Sequence, residues 1–261
     1  MYRSVLLSII ISSCITAKAQ ELTIPAEARS FIIPGFEPLD YVTGDINGDR
    51  KLDAILVLKQ PGEDTVDMDE AKPRLMLLLV RQADGKLKQV ARNEKAILCR
   101  QCGGVFGDPY NGTIIEANGF TISFYGGSSW RWGNDYRFVY KSLKKNWFLT
   151  KESQTSFQSG DPEHTTKEVL IEEKELGIVP FEKFDNSNGF YEESKWKVKV
   201  AKTYFFDNPK LGSKPRKGYL LKGNIATSIR ELTNFIELSF VDSKENVTSG
   251  FILRKDLERV K

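Results

Sequence analysis

Histidine is almost missing: His164 is the single one in 261 residues. A Ser-His-Asp or Cys-His arrangement therefore has one possible base. That base sits in the polar stretch Ser159-Gly160-Asp161-Pro162-Glu163-His164-Thr165-Thr166, where a solvated side chain is the expected role. Cysteine is scarce as well, with Cys14, Cys99 and Cys102, so a structural zinc site has too few ligands to draw on. Neither sign of charge prevails, since 38 Lys and Arg stand against 35 Asp and Glu. A nucleic-acid partner would normally need a basic stripe, and none is expected here. No apolar run reaches the length of about 20 residues that a transmembrane helix needs. G-x-S-x-G, H-E-x-x-H, the Walker loop and the dinucleotide fingerprint are all absent. A two-carboxylate glycosidase needs no motif, but no acidic pair stands on a plainly buried strand end. These absences point away from an enzyme.

What is present begins with an address. Met1-Tyr2-Arg3 is a short basic start, Val5 to Ile11 an apolar run, and Ala17-Lys18-Ala19 an A-x-A cleavage site. Residues 1–19 thus read as a secretory signal peptide. Ile11-Ser12-Ser13-Cys14 also resembles a bacterial lipobox, which would make Cys14 the lipidated residue of an outer-membrane lipoprotein. Both readings place the mature chain outside the cytoplasm, in the periplasm or secreted. Removing residues 1–19 takes away Arg3 and Lys18 and leaves 36 basic against 35 acidic residues. In an oxidising compartment Cys99-Arg100-Gln101-Cys102 reads as a small local disulfide or as two quiet thiols. A redox site would want a βαβ context, whereas a glycine-rich loop, Gly103 to Pro109, follows.

Chemistry is stated most openly in Gly44-Asp45-Ile46-Asn47-Gly48-Asp49-Arg50-Lys51-Leu52-Asp53. Asp45, Asn47, Asp49 and Asp53 put oxygen side chains at loop positions 1, 3, 5 and 9, and Lys51 at position 7 can offer its backbone carbonyl. Alternate residues of a tight loop turn inward, where they can surround a hard cation. Position 12 is Leu56 rather than the glutamate of an EF-hand. The loop instead resembles the calcium loops of FG-GAP and VCBS-type repeats, D-x-[DN]-x-D-G-x-x-D ahead of a strand. That resemblance implies a structural calcium ion. It departs at position 6, where glycine is usual and Arg50 stands; if this position is left-handed, a non-glycine residue costs roughly 1–2 kcal/mol. The alternative is a metal-free Asn-Gly-Asp turn.

The rest of the chain reads as mainly β. Ala54 to Lys59 and Leu75 to Val80 are buried-looking strands. Asp84-Gly85 turns the second back into Leu87 to Ala91, which makes a blade-sized antiparallel unit; with a single calcium-type loop, a complete propeller is not expected. The acidic stretch Glu63-Asp64 through Asp67, Asp69 and Glu70 reads as a solvated connection. Further strands are expected at Thr113 to Glu116, Phe120 to Tyr125, Tyr136 to Tyr140, Trp147 to Leu149 and Val169 to Glu173. Tyr125, Trp130 and Trp132 flank a glycine hinge, Gly126-Gly127. They could form a stacking platform for a sugar or peptide, or plug the core. If the hinge is extended, Trp130 and Trp132 share a face and Arg131 and Tyr125 lie near the surface. The segment from Gly103 through the tryptophans resembles parts of exported bacterial proteins of no assigned activity.

A blade- or sandwich-like β-domain is therefore expected over residues 20–184. A linker follows at 185–195, with Asp185-Asn186-Ser187-Asn188-Gly189 at its start, and a small barrel at 196–261. The last part resembles a bacterial SH3-like domain through Ala201, Tyr204 and Phe205, then Tyr219-Leu220-Leu221-Lys222-Gly223, then Gly250-Phe251-Ile252 and Asp256-Leu257. Phe251 stands where that family usually has tryptophan. The resemblance implies binding of peptidoglycan peptides or protein partners, with Tyr204, Phe205 and Tyr219 as groove residues. A barrel this small also needs aromatics for its own core. The expectation is an exported, calcium-stabilised binding protein for cell-wall peptide or glycan, or for an envelope protein. An extracytoplasmic hydrolase or its accessory subunit, and an inhibitor or immunity-like protein, are the alternatives.

Overall fold

Strands β2 (Asp53–Lys59) and β3 (Leu75–Arg81) lie side by side in the middle of a four-stranded antiparallel sheet, with β1 (Glu37–Gly44) and β4 (Leu87–Asn93) at its edges. Their unbroken apolar runs follow from burial on both faces. Ile55, Val57, Met76 and Leu78 face one core, while Ala54, Leu56, Leu58, Leu75, Leu77 and Leu79 face another. The second face is covered by the segment ahead of β1. There the short α1 (Ala26–Arg29) buries Ala28, and Ile24, Phe31, Ile32, Ile33 and Phe36 pack beside it.

A second antiparallel meander follows: β5 (Tyr110–Glu116), β6 (Gly119–Gly127), β7 (Trp130–Lys141), β8 (Asn146–Gln158) and β9 (Lys167–Glu172). Phe120, Ile122, Phe124, Phe138 and Leu149 share one core with Ile55, Val57 and Met76 of the first sheet, so the two sheets pack together. Phe181 and Phe184 plug this core from the chain that follows β9. Phe181 meets Phe120 and Phe138 edge-on, each at 5.5 Å between ring centroids. Tyr110 adds a polar tie across the sheets, its hydroxyl donating to Asp40 at 2.7 Å.

This computed structural model describes residues 22–66, 74–186 and 194–260. The expected signal peptide lies outside the described residues, as do residues 187–193 of the expected linker and Asp67, Asp69 and Glu70 of the acidic stretch. Asp185 and Asn186, at the start of that linker, are anchored to the first unit. The Asn186 N–H donates to the Lys95 carbonyl at 2.9 Å, and Lys95 pairs with Asp185 at 2.7 Å. Glu63 departs from the solvated role expected of it. Arg74 is fully buried, and its guanidinium bridges Glu63 and Asp108, with closest contacts of 2.6 Å to each. The same guanidinium donates to the Leu98 carbonyl beside Cys99. Cys99 and Cys102 are joined as a disulfide, so the cysteine turn, the Glu63 turn and the entry to β5 meet at one arginine. The two carboxylates hold the Arg74 pKa well above the ordinary arginine value although burial works against the charge.

The C-terminal unit is a five-stranded antiparallel sheet in the order β15-β14-β13-β10-β16, comprising β10 (Lys195–Val198), β13 (Ile225–Glu231), β14 (Phe235–Val241), β15 (Val247–Leu253) and β16 (Leu257–Arg259). A two-stranded ribbon, β11 (Lys202–Tyr204) with β12 (Tyr219–Leu221), is joined to it through the Phe206–Phe251 bridge. No pairing among the described residues closes this sheet into a barrel. Its core holds Trp196, Val198, Phe205, Leu220, Ile236, Leu238 and Ile252. The chain is thus mainly β, as expected, and the three α-helices among the described residues have four residues each: α1, α2 (Pro162–Thr165) and α3 (Glu173–Leu176). No helix among the described residues is long and apolar enough to cross a membrane.

Alternation along β14 decides how the two units meet. Ile236 and Leu238 point into the C-terminal core, while Phe235 packs on the other side with Phe251, Leu232 and Ile171 of β9. The Thr233 N–H donates to the Glu175 carbonyl at 2.9 Å, and the Asn234 side chain donates to the Glu175 carboxylate at 3.2 Å.

Candidate functional site

The loop between β1 and β2 gathers three carboxylates. One oxygen each from Asp45, Asp49 and Asp53 lies within 4.8 Å of the others. The loop organises itself around Asp45. One Asp45 oxygen accepts the N–H groups of Asn47, Gly48 and Asp49 at 3.2, 2.6 and 3.2 Å, and the other accepts that of Arg50 at 2.7 Å. Asn47 in turn accepts from the Asp49 N–H at 2.9 Å. Asp53 is fully buried, and it accepts from the backbone N–H groups of Ile46 and Arg81. Arg50 stands at φ +65°, so the sixth loop position is left-handed, and an arginine takes the conformation that favours glycine.

Lys51 is placed differently from a pure carbonyl ligand. Its carbonyl accepts the Asp53 N–H at 3.2 Å, and its ammonium lies 3.3 Å from Asp49. Desolvation works against the Asp49 charge, but the hydrogen bonds from Lys51 outweigh it and hold the carboxyl below its ordinary value. Asp53 moves the other way, pushed up by burial and further by the charges of Asp49 and Asp45. An oxygen-only donor set that crowds three carboxylates fits a hard divalent cation. Asp45, Asp49 and Asp53 would hold it, with Asn47 and the Lys51 carbonyl beside them. The loop also joins the two sheets. Ile46 is fully buried in their shared core, and the Trp147 indole of β8 donates to its carbonyl at 2.6 Å.

The expected aromatic platform is split. Trp130 and Trp132 do share a face of β7, but it is the face that meets the core; Trp132 packs against it, while Trp130 at the hairpin tip is 52% exposed. The Trp132 ring lies over Gly126, where a Cβ would come within 2.7 Å of it. Tyr125 is on the opposite face of the sheet. It meets Phe106 edge-on at 5.6 Å, and the Arg131 guanidinium lies 3.8 Å above the Phe106 ring. No single platform therefore combines Tyr125 with the tryptophans.

The C-terminal aromatics also separate. Phe205 is 1% exposed and belongs to the core rather than to a groove. Tyr204 and Tyr219, paired across β11 and β12, are 38% and 49% exposed. Their rings meet edge-on at 6.1 Å, and the Lys202 ammonium sits 3.8 Å from the Tyr219 ring centroid. His164 is exposed as expected, its ring nitrogen 2.7 Å from Asp161.

A group that sequence reading missed lies between the two units. A cleft of about 520 Å³ is lined by Trp132, Asn134 and Tyr136 of β7, Leu149, Glu152 and Gln154 of β8, and Arg230 and Glu237 of β13 and β14. Arg230 donates to Glu152 and stands 3.6 Å from Glu237. Glu152 also accepts from Gln154 at 2.7 Å. Burial pushes the Glu237 carboxyl up against the pull of Arg230. An acidic pair, Glu152 and Glu237, thus meets one arginine from within β8 and β14 rather than from strand ends. Its members lie in different units and interleave with core residues, so no local pattern marks them. The nearest signal was Glu237 itself, charged between Ile236 and Leu238.

No family model, no curated protein and no solved structure matches this chain.

Proposed function

We propose that the chain is an exported binding protein, stabilised by calcium, that recognises a cell-wall peptide or glycan, or a protein partner in the envelope, through its C-terminal unit. Export follows from the reading of residues 1–19. The observation that carries the binding reading is the exposed pair Tyr204 and Tyr219 with Lys202 against their rings. Exposed tyrosines held by neighbouring strands offer rigid, amphipathic contact area at low entropic cost. The hydrolase alternative draws less support. Glu152 is nearly enclosed and already accepts from Arg230 and Gln154, which leaves it poorly placed to act on a substrate.

Two experiments test the reading. The mature protein should co-sediment with purified peptidoglycan, and replacing Tyr204 and Tyr219 by alanine should weaken retention about tenfold or more, as removal of aromatic hot spots does. Retention that ignores the double substitution would remove these tyrosines from the site. In the second, the thermal midpoint is measured with calcium and with chelator. An ion that binds only the folded chain adds about 2.7 kcal/mol at one hundred times its dissociation constant, and Asp49→Ala should abolish the gain. An unchanged midpoint at millimolar calcium would make the loop a metal-free turn.

A further inference from the structure

The cleft between the two units holds an arginine with two of its three guanidinium nitrogens lacking a hydrogen-bond partner. Arg230 uses Nη1 to donate to Glu152, while its Nε and Nη2 are buried and have no hydrogen-bond partner. These two nitrogens form one edge of the guanidinium, and such an edge matches the two oxygens of a carboxylate. The nearest acid, Glu237, lies 3.6 Å from Nη2, beyond hydrogen-bond reach. A buried donor left unpaired is costly, and a site with several of them calls for a ligand or water that supplies the acceptors. Beside this group the cleft wall carries Trp132, Leu149, Leu176 and Val179, and Lys183, Asp185 and Asn186 also line it. A cleft of this size that sets apolar surface beside converging charged groups suits a small molecule.

We propose that the cleft binds a small zwitterion of the amino-acid class, with its carboxylate on the Nε–Nη2 edge of Arg230, its ammonium on Glu237 and its side chain against Trp132. A simple anion would meet the repulsion of Glu152 and Glu237, and a simple cation would leave the Arg230 edge unpaired. A molecule carrying its two charges on either side of one carbon answers an arginine and a glutamate that already stand side by side. Glu152 has a different part: it fixes the guanidinium plane through Nη1. The site is separate from the Tyr204–Tyr219 face and does not depend on it.

The test is calorimetric titration of the purified mature protein with L-alanine, D-alanine, L-lysine, L-glutamate and L-phenylalanine, each beside its N-acetyl and carboxamide forms. At least one free amino acid should bind at millimolar concentration or below. Blocking its amine or its carboxylate should weaken binding roughly ten- to hundredfold, the range for losing a charge-assisted hydrogen bond. Glu237→Gln should lower affinity for the free form and leave the N-acetyl form unchanged. Arg230→Lys should instead cost the free and N-acetyl forms alike, because both keep the carboxylate. No binding by any free amino acid, or equal binding of free and blocked forms to the unaltered protein, would overturn the proposal. That comparison needs no variant to fold.

Discussion

Arg50 shows how one residue can carry a conformation that its neighbours impose. The Asp45 carboxylate accepts four consecutive N–H groups, from Asn47 to Arg50, and this wrapping forces the backbone at Arg50 to φ +65°. Glycine there relieves roughly 1–2 kcal/mol of strain but loses roughly 0.5–1 kcal/mol to its greater freedom when unfolded. Arg50→Gly should therefore stabilise the protein by no more than about 1.5 kcal/mol in urea unfolding, and equally with calcium and with chelator. A loss of stability instead would mean that the arginine side chain makes a contact of its own. Gly48 differs: its φ is +82°, and a Cβ there would run into the Asn118 side chain.

At the scale of the element, the hairpin of β6 and β7 is where a local glycine pair does tertiary work. Gly126 pairs with Trp132, and its missing side chain leaves room for the indole. The Gly103 carbonyl closes the other side, 2.9 Å from where a Cβ would stand. Gly126→Ala should displace the ring and cost about 1–3 kcal/mol, the range for overpacking. Chemical denaturation checks the energy, and a change in tryptophan emission relative to wild type reports the displaced ring. An unchanged emission spectrum with unchanged stability would mean that the hinge relaxes freely. Because Trp132 also lines the cleft, the same substitution should weaken any ligand held there.

For the whole molecule, the contact between the units is both apolar and charged. Phe235, Phe251, Leu232 and Ile171 bury one another, and Glu152, Arg230 and Glu237 adjoin them. Burial raises the Glu237 pKa; Arg230 and Arg216 oppose the rise, and Glu152 adds to it. The folded protein therefore keeps a proton on Glu237 at pH values where the unfolded chain, with an ordinary value of about 4.3, has lost it. In that window the folded state binds more protons, so stability falls as pH rises through it. Glu237→Gln should remove this fall, and its stability relative to wild type should increase from about pH 4 upward. Urea unfolding across the acidic range measures it. A difference between the two proteins that does not vary with pH would show that Glu237 titrates normally.

Much of this was open to reading before any fold was known. The apolar runs of β2 and β3 announced strands buried on both faces, because nothing in them is polar enough to face water. The spacing of Asp45, Asn47, Asp49 and Asp53 announced a loop of inward oxygens, because alternate residues of a tight turn point to one centre. Residues 150–158 were not legible as the second half of β8. They are polar and lack alternation, and it is their neighbours β7 and β9 that hold them in the sheet. The fates of Tyr204 and Phe205 could not be told apart either: adjacent residues of a strand point to opposite faces, and which face is covered depends on Leu220, Ile252 and the rest of the C-terminal core. Glu152, Arg230 and Glu237 come from positions as far as 85 residues apart. Local sequence dictates which segments extend and turn, since those preferences act over a few residues. Which charges meet in a buried cleft is set by how the two units dock, and only the tertiary structure decides that.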